Sequence, residues 1–247
     1  MTMEITPDLA EICGIHAGDG YLRNREGKIE LELGGSKEEK SYYDNHVVPL
    51  FNKVFGLKLT GKFYSKGTYG FVTTNNQFEI FNELGFPYGK KSKIVNIPKI
   101  ILNSKNKLLY VKFLRGLFDT DGHLGFRKSY GNYLPFKIKK HHYPVIHITS
   151  ISRLLIERVS LMLKQLEITS FTYSSLPKKS NEQTSYRVII SGVGNVERWM
   201  KIIGSKNPVK LSRYLIWKKF GFCPTNTTFE RREDILNGKL NIFSLDP

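Results

Sequence analysis

Two aspartates, Asp19 and Asp121, each precede a glycine at the end of an apolar run, and they stand 102 residues apart. The runs, Leu9 to Leu22 and Val111 to Leu124, match in register at Gly14/Gly116, Ile15/Leu117, Asp19/Asp121, Gly20/Gly122 and Leu22/Leu124. Carboxylates are hard oxygen donors, and two held close together repel unless cations lie between them. A divalent ion in such a place lowers the pKa of an attacking water and neutralises charge on a leaving oxygen, which is the chemistry of phosphodiester hydrolysis. A single Asp-Gly would more simply be a turn. It is the repetition in register that raises these two above the background.

For the acids to meet, the runs before them must be helices that pack closely. Small residues one helical turn apart, Gly14 and Gly18 in one run and Gly116 and Thr120 in the other, permit that approach. Thr6-Pro7-Asp8 makes a good helix start: a capping hydroxyl, a proline at the first helical position and an acid in the first turn. Lys28 to Leu33 then alternates like a half-buried strand. An amphipathic helix follows over Glu38 to Phe55, with Val47, Val48, Leu50, Phe51, Val54 and Phe55 as its buried stripe. A hairpin over 57–64 and 69–74 and a helix over 76–84 complete the half. The same order recurs as a strand at 123–127, a strand at 145–149, a helix over 152–166 carrying Leu154 and Leu161 among its apolar residues, a hairpin over 168–175 and 186–191, and a helix over 195–203. The expected class is α+β: two pseudo-symmetric αββαββα repeats, each an antiparallel sheet covered by helices on one face, joined at the helices that end in the acids. The boundaries fall at 1–98 for the first repeat, 99–107 for a linker rich in Lys, Asn and Ser, and 108–247 for the second repeat with a basic helix (211–220) and tail.

The 38 Lys and Arg outnumber the 22 Asp and Glu, giving +16. So large an excess points to a polyanion, because neutralising phosphates releases condensed counterions; a generally basic structural protein is the blander option. Two cysteines, Cys13 and Cys223, are too few for a disulfide framework, and no apolar run is long enough to cross a membrane. The expected setting is intracellular (cytoplasm, nucleoid or an organelle) and not secretory.

The segments Ile12 to Gly20 and Leu114 to Gly122 resemble the LAGLIDADG motif, and the chain resembles a monomeric two-repeat LAGLIDADG homing endonuclease. The second copy fits better; the first departs at His16 and begins Ile-Cys. The resemblance implies a site-specific double-strand DNA endonuclease, intron-encoded in many members, that leaves short 3′ overhangs. Asp19 and Asp121 would be catalytic, with one acid per scissile phosphate. They would be metal ligands together with the carbonyls of Gly18 and Thr120. The ions would be Mg²⁺, two or more, with Mn²⁺ or Ca²⁺ able to substitute in binding. An RNA maturase or a non-cleaving DNA-binding regulator on the same fold is the alternative, although the presence of both acids favours the enzyme. Protein splicing by this chain is not expected: it begins with Met and lacks a His-Asn ending.

The partner would be double-stranded DNA with a long, pseudo-symmetric site, held on the open faces of both sheets, because a β-ribbon fits the major groove. Candidate contacts in the first half are Arg23, Arg25, Lys28, Glu30, Glu32, Lys58, Thr60, Lys62, Tyr64 and Lys66. In the second they are Arg127, Lys128, Lys137, Lys139, His147, Thr149, Lys178 and Arg187. Basic groups expected around the acids are Lys91, Lys93, Lys206 and Lys210. His141, His142 and His147 lie close in sequence, but no cysteine accompanies them and a transition-metal site is not expected there. Trp199 and Trp217 read as core.

Overall fold

The computed structural model describes residues 5–128, 140–177 and 179–245. Helix α1 (Pro7–Asp19) starts as expected, with the Thr6 hydroxyl accepting from the amide of Leu9. It runs directly into β1 (Gly20–Arg25), which pairs with β2 (Lys28–Ser36). The segment after β2 is not one uniform helix. A 3₁₀ turn (Lys37–Glu39), α2 (Lys40–Tyr42) and a π-turn (Tyr43–Val47) lead into α3 (Val48–Phe55). A π-turn inserts an extra residue per turn, and so rotates the side chains before it relative to those after it. Gly56, at φ 64°, ends α3 in the left-handed conformation expected of a glycine there. The hairpin follows as β3 (Lys62–Ser65) and β4 (Thr68–Thr74), then α4 (Glu79–Glu83) and α5 (Lys99–Leu102). Strand β3 is shorter than the sequence pattern suggests, so Lys58 and Thr60 lie before it and Lys66 in the turn beyond it.

The second repeat begins with α6 (Lys107–Asp121) and continues through β5 (Gly122–Arg127), β6 (Tyr143–Ser150), α7 (Arg153–Gln165), β7 (Phe171–Ser175), β8 (Ser185–Ser191) and α8 (Val193–Ile202). The two sheets have the same antiparallel order, β1-β2-β4-β3 and β5-β6-β8-β7. One face of each packs on helices: Leu22, Ile29, Leu31, Leu33 and Phe71 in the first sheet and Leu124, Ile146, Ile148, Val188 and Ile190 in the second are buried. A single core runs through both repeats across α1 and α6. Leu154 and Leu161, counted in the buried stripe from sequence, are instead 45% and 61% exposed, because α7 covers its sheet with Leu155, Ile156, Val159, Met162 and Leu163.

The tail is structured. Helices α9 (Pro208–Phe220) and α10 (Phe229–Leu236) enclose a small second core of Ile216, Trp217, Phe222, Cys223, Ile235 and Ile242. Trp217 donates from Nε1 to the His142 carbonyl (2.8 Å) and Cys223 from its amide to the His141 carbonyl (3.1 Å), so the tail braces the base of the β5–β6 hairpin. Trp199 is buried in the main core, as expected. Among the described residues no helix is long and apolar enough to cross a membrane.

Candidate active site and nucleic-acid interface

Helices α1 and α6 pack backbone to backbone. A Cβ on Gly14 would stand 2.1 Å from the Phe113 carbonyl oxygen, and one on Gly116 would stand 2.2 Å from that of Glu11. No side chain larger than hydrogen fits at either place. Away from the sheets the pair is locked by buried Glu11, which accepts from Arg115 (3.0 and 2.9 Å) and Lys112 (2.9 Å) and pairs with His46 (2.8 Å). Burial alone would push this carboxyl up; the bonds from His46, Arg115 and Lys112 outweigh it and hold it at about 2.

At the other end the helices finish side by side. A Cβ on Gly18 would lie 3.3 Å from the Asp121 carboxyl carbon. The chain leaves both helices in an extended conformation, with φ −76° at Gly20 and at Gly122, so neither Asp-Gly is a left-handed turn. Asp19 is half-buried and Asp121 more open to solvent. Burial, then the charges of Asp121 and Glu39, push Asp19 up to about 7, against the hydroxyl of Tyr43 donating to it at 3.0 Å. Asp121 is raised too, first by burial, although Lys91 and Lys210 oppose this, and among the described residues it accepts no hydrogen bond.

Two lysines occupy matching places behind the acids. Lys91 Nζ donates to the carbonyls of Gly18 (2.8 Å) and Gly20 (2.5 Å), and Lys210 Nζ to those of Phe118 (2.6 Å) and Thr120 (2.7 Å). Burial lowers the pKa of both ammonium groups, while the nearby aspartates pull it back. Lys93 and Lys206 are exposed and stay outside this cluster; Lys206 takes part only through its amide, which donates to Asp119 (2.7 Å).

Several polar residues here escaped the sequence reading. Asp119, at the position that the 102-residue offset sets opposite Ala17, is buried and accepts from Ser205 (2.5 Å). Asn207 bridges the Asp119 carbonyl (2.8 Å) to Glu39 (2.7 Å), tying the tail of the second repeat to the first. Tyr43 sits in the π-turn, which no pattern of apolar spacing reveals. At His16 the buried imidazole stacks on Phe81 (4.3 Å between ring centres), and burial keeps it neutral.

Strand register assigns the open faces. In the first sheet Lys28, Glu30, Glu32 and Lys62 lie with Tyr21, Arg23 and Arg25 opposite the core residues. Arg23 binds Glu30 (2.5 Å) and Glu32 (2.8 Å). Tyr64 lies over Gly34. In the second sheet His147, Thr149 and Arg187 share the open face with His123 and Arg127, and Arg187 donates to Thr149 (2.9 Å). Lys128 follows the end of β5. Lys137, Lys139 and Lys178 lie outside the described residues. His141 and His142 turn to backbone carbonyls, those of Phe126 (2.8 Å) and Lys140 (3.0 Å), and no group of three or more His, Cys, Asp or Glu suited to a metal occurs among the described residues.

Residues 109–204 match the model of the LAGLIDADG-like domain. The solved structure of I-SmaMI bound to uncleaved DNA target in the presence of calcium ions superposes with a TM-score of 0.54 at 13% identity, over 96% of this chain and 97% of that one. The fold is that of a two-repeat LAGLIDADG homing endonuclease. I-DmoI in complex with DNA and Mn shares the LAGLIDADG fold at TM-score 0.53 and 14% identity, over 80% of this chain and 96% of its own. Among curated proteins, the replication factor C small subunit of Methanocaldococcus jannaschii is 27% identical over 210 residues. That match takes in 84% of this chain but only 10% of the relative, so the chain spans about a tenth of that protein's length.

Proposed function

We propose that this chain is a site-specific, Mg²⁺-dependent endonuclease that cuts both strands of a long DNA target and leaves short 3′ overhangs. The observation that carries the reading is the meeting of Asp19 and Asp121 at the paired ends of α1 and α6, between two sheets whose open faces carry the basic side chains. The donors fit a hard divalent ion: all are oxygens, and burial, then the charges of Asp121 and Glu39, raise Asp19 to about 7, a cost that a bound cation would relieve. So few protein ligands suit an ion that keeps waters and takes the rest of its shell from phosphate. Bound there, such an ion would supply Lewis acidity toward the phosphate and an acidified water.

The chain's own groups divide the remaining work. Asp19 and Asp121 would hold the cations, one acid to each strand, with the free lone pairs of the Gly18 and Thr120 carbonyls beside them. Lys91 and Lys210 keep two positive charges fixed behind the acids, where negative charge grows on the phosphate during hydrolysis. Tyr43 orients Asp19. The saddle supplies phosphate contacts from Arg25, Lys28, Lys62, Arg127 and Lys128 and base contacts from Arg23, Glu30, Glu32, Thr149 and Arg187.

The test is cleavage of a randomised plasmid library in Mg²⁺ by the parent, Asp19→Asn and Asp121→Asn. The parent linearises a subset of plasmids and neither variant does, while all three hold the same sequences in Ca²⁺. Retention of those sequences by the parent without cutting would favour a regulator or an RNA maturase.

A further inference from the structure

The two open faces differ in chemistry. On the second sheet one row crosses all four strands through directly opposed residues: His123, His147, Ile189 and Phe171. The next row carries Thr149, Arg187 and Tyr173, and the row on the other side Gly125, Val145 and Ser191. Phe171 is 51% exposed and Tyr173 56%. No carboxylate stands in these three rows, whereas on the first sheet Glu30 and Glu32 occupy the middle strand and engage Arg23. Apolar side chains gathered on an otherwise cationic surface mark a contact with something that is anionic overall and apolar locally.

We propose that the second sheet reads a thymine-rich half-site in duplex DNA, with the exposed rings of Phe171 and Tyr173 packed against thymine methyl groups. This rests on the endonuclease reading above. The C5 methyl of thymine is the one apolar group on the major-groove edge of the four bases, so an apolar row facing that groove discriminates thymine from cytosine without a hydrogen bond. The spacing suits it: Phe171 and Tyr173 stand two residues apart on β7, about 6.8 Å, close to two steps between successive base pairs. Arg187, held by Thr149 beside Tyr173, provides a fixed donor for a guanine in the same half. The first sheet, with Arg23 between two glutamates, is built for guanine and cytosine edges instead. The resulting target is asymmetric in composition although the scaffold is pseudo-symmetric.

The experiment is selection of randomised duplexes bound in Ca²⁺ by the intact chain, followed by affinity measurements on an enriched site in which single thymines are replaced by deoxyuridine. The replacement keeps every hydrogen bond and removes only the methyl. In one half-site thymine is enriched at two or more positions, and each deoxyuridine there weakens binding about fourfold, the worth of one buried methyl group. With Phe171→Ala the penalty at its own position disappears while the other half-site is read unchanged. Enriched sites that bind equally well with deoxyuridine would overturn the inference and leave the endonuclease reading intact. So would equal affinity for the corresponding single strand, which has the methyls and no groove. If no sequence is enriched, site-specific recognition itself fails and the inference falls with it.

Discussion

Gly14 lies directly against Phe113: a methyl group on the glycine would sit 2.1 Å from the phenylalanine's carbonyl oxygen. The distance between the two repeats is therefore set by backbone, and the placement of Asp19 beside Asp121 follows from it. Gly14→Ala and Gly116→Ala should each cost about 2 kcal/mol or more, since the helices must separate to admit the methyl. Urea unfolding measures this directly. An unchanged midpoint for either would mean that the helices tolerate wider spacing.

Glu11 gives the interface a pH dependence whose sign is fixed. Its folded pKa of about 2 lies below the ordinary value of 4.5, so its stabilisation is complete above about 4.5 and is lost as pH falls toward 2. The difference amounts to about 3 kcal/mol. Glu11→Gln should lower stability by about that much at pH 7, leave Lys112 and Arg115 short of a partner, and remove this part of the acid dependence. Chemical unfolding at pH 7 and pH 3, parent against variant, checks it.

Asp19 has the opposite sign. Its pKa is raised from 3.8 to about 7, so the carboxyl is comfortable below 3.8, increasingly destabilises the fold as pH rises toward 7, and costs a constant amount above that. Asp19→Asn should therefore raise Tm at pH 8 by about 5 °C or more and hardly change it at pH 4. Addition of Mg²⁺ at pH 8 should raise the Tm of the parent and not that of the variant. A gain of equal size at both pH values would show that the charge is not the cause.

On the proposed reading, Lys91 and Lys210 should act on reaction rather than on docking. Replacing either with Met should reduce cleavage by about 100-fold or more, the scale on which fixed charges stabilise a phosphoryl transition state. Binding in Ca²⁺ should change only severalfold. Exposed Lys93 serves as the control, and Lys93→Met should cut normally. A loss of binding in step with the loss of cutting would make the two lysines structural.

What the sequence disclosed depended on period and repetition. The twin runs ending in Asp19 and Asp121, the capping at Thr6-Pro7 and the alternation from Lys28 to Leu33 each carry a local rule, and each appears in the fold. Leu154 and Leu161 misled because an apolar stripe wider than the sheet can cover leaves its flank in water. Glu39, Tyr43, Asp119 and Asn207 were silent for a different reason. Their roles come from contacts between residues far apart in the chain or from the π-turn, and neither has a sequence period. Among the basic candidates, only geometry separates Lys91 and Lys210 from Lys93 and Lys206.

The central claim is that Asp19 and Asp121 each govern one strand of the same target. It is tested most directly by following both strands of an end-labelled, selected duplex in Mg²⁺ with the parent, Asp19→Asn and Asp121→Asn. Each variant should lose cutting on a different strand far more than on the other, and the two patterns should be complementary. Identical patterns in the two variants, or undiminished cutting of both strands by either one, would contradict it.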